Sequence, residues 1–129
     1  MKSTKEFFQN KKILIYGYGK TGKSAFNFLK TKNNLKVFDD NLPLTNLPYN
    51  KKFTRGSDRV RNFDYVLLSP GINYRKCLLS NEIIKNKEKI ISDLDVFYKS
   101  FPENFFITIT GTNGKSTTCK LLYLSLIHI

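Results

Sequence analysis

Lys12-Ile13-Leu14-Ile15-Tyr16-Gly17-Tyr18-Gly19-Lys20-Thr21-Gly22-Lys23-Ser24 is an apolar run that breaks into three glycines and resumes with small polar residues. The run Lys12 to Tyr16 is short and apolar, as a buried strand requires. Gly17 to Gly22 supplies a turn, and Ala25, Phe26, Phe28 and Leu29 give the helix that follows its buried face. The same alternation continues outward. Leu35 to Phe38 reads as a strand ending at Asp39-Asp40, and Pro43 and Pro48 break any regular element beyond it. Tyr65 to Leu68 reads as a strand ending at Ser69-Pro70-Gly71. Asn81 to Lys87 predicts a helix with Ile83 and Ile84 inward, and Lys89 to Ile91 a brief strand. Asp93 to Lys99 predicts a helix with acidic residues in its first turn, where the dipole favours them. Strands alternating with helices imply an α/β fold with a doubly wound, Rossmann-like parallel sheet. Ligands of such sheets bind outside the carboxyl ends of the strands, where the three loops after Tyr16, Phe38 and Leu68 lie.

The first loop satisfies two patterns at once. Gly17, Gly19 and Gly22 match the dinucleotide fingerprint Gly-x-Gly-x-x-Gly, and Asp39 ends the next strand where a ribose hydroxyl would be met. Gly17 through Gly22-Lys23-Ser24 also fits the phosphate loop Gly-x-x-x-x-Gly-Lys-Ser. The first pattern leads to an NAD-binding regulatory module, the second to a P-loop kinase or NTPase using Gly17 to Ser24. The spacing leaves both open.

A second glycine loop is Thr110-Gly111-Thr112-Asn113-Gly114-Lys115-Ser116-Thr117. Phe105 to Ile109 before it reads as a buried strand, and Lys115 to Leu126 after it as a helix. Glycines let backbone N–H groups converge, and the helix N-terminus adds partial positive charge, so a polyphosphate is held by both. Lys115 would reach the β- and γ-phosphates of ATP, and the Ser116 hydroxyl would ligate Mg²⁺. The usual first glycine is replaced by Ile109, which makes the motif a variant.

Composition narrows the function classes. The chain has 129 residues, 40% of them hydrophobic, enough for one core and a part of a second. The net charge of +12 resembles a nucleic-acid signal, but lysines are spread along the chain without a stacking or groove-reading motif. Neither a nucleic acid nor a membrane is expected as partner. Cys77 and Cys119 form no spacing motif and read as reduced thiols. Met1 to Lys12 has no apolar core segment and no signal-peptide pattern.

Taken in order, these segments resemble the Mur ligases. The resemblance rests on Ile15 through Ser24, Val37-Phe38-Asp39, Ser69-Pro70-Gly71-Ile72, Ile90 through Phe97, and Ile109 through Thr117, and runs from about Lys11 to Leu122. The second loop is typical of the Mur and folylpolyglutamate ligases. The first loop with Ser-Pro-Gly-Ile narrows the likeness to the D-glutamate-adding branch, and tips the first loop toward a UDP-sugar. The resemblance implies that Gly17, Gly19, Lys20, Thr21 and Gly22 meet the UDP diphosphate. It implies that Asp39, Asp40 and Asn41 lie at the uracil end, with Ser69 and Gly71 lining the same pocket. By the same resemblance, a typical relative has an arginine where Asn41 stands. Gly111, Thr112, Asn113, Gly114, Lys115, Ser116 and Thr117 would hold ATP, with Ser116 on Mg²⁺ and Lys115 catalytic.

The implied activity is ATP-dependent amide formation between UDP-N-acetylmuramoyl-L-alanine and D-glutamate through an acyl phosphate, in the bacterial cytoplasm, by a monomer. The implied organisation is a UDP-sugar-binding domain over residues 1–101 and the start of an ATP-binding central domain over 102–129, with the boundary near Ser100 to Asn104. Further metal-binding and D-glutamate-binding parts of the family would lie downstream, so no catalysis is expected of this chain alone. The apolar stretch Ser125 to Ile129 reads as a non-native tail, with no ligand role for His128, and Phe105 onward is expected to leave apolar surface uncovered. Phe26, Phe28, Phe97 and Phe101 are read as core aromatics, Asp93 and Asp95 as helix-start residues.

Overall fold

A computed structural model of the chain describes residues 7–129. Among the described residues four parallel strands form one sheet: β1 (Lys12–Tyr16), β2 (Asn34–Phe38), β3 (Tyr65–Leu68) and β4 (Ile90–Ile91). Their order is β2-β1-β3-β4. β1 is central and covered on both faces, which is why Ile13, Leu14, Ile15 and Tyr16 are all fully buried.

Side chains alternate across the sheet, and the two faces build two cores. Ile13 and Ile15 pack with Leu35, Val37, Leu67 and Ile91 beneath helices α1 (Lys20–Leu29) and α3 (Asp93–Ser100), which contribute Ala25, Leu29 and Val96. Leu14 and Tyr16 face the other way, against Phe53, Val60, Phe63, Val66 and Leu79, and against Ile83 of α2 (Ser80–Lys85). Helices on both faces of an all-parallel sheet confirm the doubly wound α/β expectation. Among the described residues both cysteines are free, Cys77 buried and Cys119 exposed.

Three expectations fail for identifiable reasons. Ile84 is 47% exposed, because a short helix against a sheet buries one stripe and Ile83 takes it. Phe28, Phe97 and Phe101 lie on the surface. α1 shows the sheet its narrow stripe Gly22, Ala25 and Leu29, which leaves Phe28 at the helix flank. These rings pack on each other instead, Phe28 and Phe97 lying 6.0 and 5.1 Å from Phe101. Only Phe26 packs against a core, edge-on to Tyr18.

The third difference is the stretch Phe105 to Ile109, which forms no strand. A strand needs a neighbour for its backbone N–H and C=O groups, and none of the four strands pairs with it. Phe105 is 90% exposed, and Phe106 stacks on Tyr98 with centroids 4.1 Å apart. Helix α4 (Lys115–Ile127) forms as expected and buries no residue. No helix among the described residues is long and apolar enough to cross a membrane.

Candidate nucleotide-binding site

The chain winds from β1 to β2 on one side and then crosses to β3 and β4 on the other. The reversal opens a crevice outside the carboxyl ends of β1 and β3, the usual ligand position in such sheets. The loops that meet there are locked together. The Gly17 N–H donates to the Phe38 carbonyl at 2.8 Å, and the Ser69 N–H to the Tyr16 carbonyl at 3.0 Å. The Ser69 hydroxyl donates to the Gly17 carbonyl at 3.2 Å. Gly17 has φ of +96°, and a Cβ there would lie 2.7 Å from Ser69 Cβ and Oγ. Only glycine fits this position. A Cβ on Gly22 would overlap the Gly17 carbonyl, whereas one on Gly19 would meet nothing within 4 Å. The first and third glycines therefore serve close packing, and the second borders open space. Gly71 sits in the turn closed by Ile72 N–H to the Ser69 carbonyl at 3.0 Å.

Helix α1 begins at Lys20, and the Lys23 N–H already donates to the Gly19 carbonyl at 3.0 Å. The first-turn amides, at Lys20 and Thr21 among others, have no intrahelical acceptor and suit an anion. Lys23 and Ser24 stand a turn further in, with the Lys23 ammonium 5.8 Å from the Tyr18 ring. A phosphate loop of the Gly-Lys-Ser type instead starts its helix at the lysine. The second loop does this: α4 begins at Lys115, directly after Gly114 with φ of +78°. Lys115 Nζ folds back to donate to the Gly111 carbonyl, and the Thr118 N–H donates to the Gly114 carbonyl. Gly111 to Thr117 are all exposed.

At the end of β2 the two aspartates are tied into the protein. Asp39 accepts from the Tyr18 N–H at 2.7 Å, and from the Asn41 and Leu42 N–H groups at 2.9 and 2.7 Å. Burial pushes its pKa up, but the backbone bonds from Tyr18, Leu42 and Asn41 together outweigh it and hold the carboxyl below its ordinary value. Asp39 thus clasps the first glycine loop to the turn after β2. Asp40 accepts from the Tyr16 hydroxyl at 2.5 Å and from the Leu78 N–H at 3.2 Å. Burial, then the bond to Asp40, drive the Tyr16 phenol pKa far above its ordinary value. Asn41 is exposed beside them.

Sequence reasoning missed two features. One is the Tyr16–Asp40 pair, whose partners lie 24 residues apart and meet only through the sheet. The other is a cleft of about 420 Å³ between α1 and α3, with Lys20, Thr21, Ser24 and Asp93 on its lining. Asp95, read as a helix-start residue, forms a capping box: it accepts from the Ser92 N–H at 2.8 Å, and its own N–H donates to Ser92 Oγ at 3.1 Å. The spacing Ser92-x-x-Asp95 carried that signal.

No protein-family model matches the chain, and no solved structure matches it. Curated relatives do. The chain is 40% identical over 124 residues to UDP-N-acetylmuramoylalanine--D-glutamate ligase of Rickettsia prowazekii (strain Madrid E), covering 89% of this chain and 27% of that protein. It is 36% identical over 121 residues to the ligase of the same name from Francisella philomiragia, covering 90% of this chain and 27% of the relative. For the Bacillus cytotoxicus ligase of that name the identity is 35% over 127 residues, covering 90% and 28%. The chain thus spans about a quarter of the length of the curated relatives it matches. With its sequence aligned to these ligases over nearly its whole length, the chain is a MurD-like fragment of the Mur ligase family.

Proposed function

We propose that the chain carries the UDP-sugar-binding domain, residues 1–101, and the start of the ATP-binding central domain, residues 102–129, of an ATP-dependent amide ligase of peptidoglycan precursor synthesis. The observation that carries this reading is the unlike geometry of the two glycine loops. In the first the helix starts before the third glycine, which packs on the Gly17 carbonyl just past β1. In the second the helix starts at the lysine. One suits a nucleotide diphosphate approaching a helix N-terminus, the other a triphosphate.

In this reading the first-turn amides of α1, with Lys20 and Thr21, hold the diphosphate of UDP-N-acetylmuramoyl-L-alanine. The loop Gly17 to Gly22, Ser69 and Gly71 shape the crevice, and the turn Asp39 to Asn41 lies at the uracil end. Gly111 to Thr117 hold ATP in this reading; positive φ at Gly111 and Gly114 and the bond from Lys115 Nζ to the Gly111 carbonyl support it. Ser116 opens α4 next to Lys115 and offers a hydroxyl for Mg²⁺. In this chemistry the alanyl carboxylate would take the γ-phosphoryl group of ATP, giving an acyl phosphate and releasing ADP. The D-glutamate amine then forms the amide as phosphate leaves and the amine loses a proton. The chain's own share is placement of the two nucleotides and charge neutralisation by Lys115. The protein acts as a monomer in the bacterial cytoplasm.

Mg-ATP titration of Lys23→Ala and Lys115→Ala variants tests the loop assignment. Loss of binding in Lys115→Ala, with Lys23→Ala unchanged, is the expected result. The reverse pattern would make Gly17 to Ser24 the ATP loop and overturn the reading.

A further inference from the structure

We propose that Asp40 serves the crevice as a positioning residue, acting through Tyr16 and the segment before α2, rather than as a contact to the ligand. The proposal rests on the reading of this crevice as a UDP-sugar site.

Tyr16 is the last residue of β1, and its ring is fully buried on the α2 face. Its hydroxyl emerges at the carboxyl end of the sheet, donates to Asp40 Oδ1 at 2.5 Å and accepts from the Leu79 N–H at 3.4 Å. The other Asp40 oxygen accepts from the Leu78 N–H at 3.2 Å. One phenol and one carboxylate thus join three segments: the end of β1, the turn after β2 and the lead into α2. Both carboxylate oxygens already have donors from the protein. Cys77 and Leu79 are buried in the same cluster as Tyr16, so the bond from the Leu79 N–H to the phenol is shielded from water, while the Leu78 bond to Asp40 lies at the surface.

The turn after β2 is therefore held twice. Asp39 ties it to the glycine loop through the Tyr18 N–H, and Asp40 ties it to Tyr16 and Leu78. Exposed Asn41 sits on this turn, so its placement at the crevice depends on both clasps. Removing the Tyr16 hydroxyl leaves Asp40 with one donor fewer and loosens one of the two clasps, although the Tyr16 ring itself is fully buried beneath the crevice.

The test is titration of the full chain with UDP-N-acetylmuramoyl-L-alanine, comparing wild type with Tyr16→Phe, Asp40→Asn and the double variant. Amide exchange at Leu78 and Leu79 is read by NMR in parallel. The expected result is binding weakened about tenfold in Tyr16→Phe, as loss of one positioning hydrogen bond predicts. The double variant should be no weaker than the sum-free limit of coupled residues, that is, close to the worse single variant. Exchange at Leu78 and Leu79 should quicken in each variant, while that at Leu14 and Val66 stays slow. Asp40→Asn weakening with Tyr16→Phe unchanged would make Asp40 a ligand contact and overturn the proposal. Should Tyr16→Phe fail to fold, Asp40→Asn decides: weaker binding with faster Leu78 exchange supports positioning, and weaker binding with unchanged exchange overturns it. A folded wild type with slow Leu78 exchange and no affinity for the UDP-sugar would instead overturn the UDP-sugar reading itself, and the positioning role with it.

Discussion

The α-carbon of Gly22, in the first turn of α1, faces the carbonyl oxygen of Gly17 so closely that a Cβ there would overlap it. That contact sets helix against strand and places the helix N-terminus at the crevice. Gly22→Ala is expected to destabilise the chain by about 3 kcal/mol or more, the upper end of the cost of overpacking, because the overlapped atom is backbone. Gly19→Ala has open space and should change stability by less than about 1 kcal/mol. Urea unfolding of the two variants checks the contrast, and equal effects would contradict the packing argument.

Acid should weaken the fold through Asp39, Asp58 and Asp95, whose carboxyls all lie below their ordinary value of 3.8. Asp39 and Asp58 are pushed up by burial and pulled further down, Asp39 by backbone N–H groups and Asp58 by Lys36 and the Thr54 N–H. In Asp95 the bonds from Ser92 dominate. Between the folded and unfolded pKa values the unfolded chain binds more protons, so stability rises with pH there. The contribution is complete above the unfolded value and is lost as pH falls through the folded one. Thermal melts from about pH 6 down to about pH 3 should show a falling Tm, with a shallower fall in Asp39→Asn. Identical slopes would contradict the clasp.

Much of this was legible in the sequence because it is local. β1 and β3 match the predicted runs Lys12–Tyr16 and Tyr65–Leu68 residue for residue, since short apolar runs bounded by turn residues leave few alternatives. The loops that meet at the crevice follow once the parallel winding is known. What stayed hidden depends on partners distant in the chain. Phe105 to Ile109 has the composition of a strand, yet pairing requires a neighbouring strand, which composition does not report. Phe28, Phe97 and Phe101 are core-type residues whose helices present other stripes to the sheet. The two glycine loops could not be told apart by spacing, because the difference lies in where each helix begins.

Ser92 caps α3 reciprocally with Asp95. Ser92→Ala is expected to cost about 1 kcal/mol, the usual value for an N-cap hydroxyl. The loss should appear as a lower urea midpoint with an unchanged slope. A midpoint identical to wild type would show that α3 is held by Val96 and its ring contacts alone.

Calorimetric titration of the chain with UDP-N-acetylmuramoyl-L-alanine, with NADH as comparator, decides which nucleotide the crevice takes. Saturable binding of the UDP-sugar is expected, with its loss in Thr21→Arg, where a bulky side chain enters the first turn of α1, and no response to NADH. Binding of NADH without a response to the UDP-sugar would contradict the UDP-sugar reading and leave a dinucleotide module in its place.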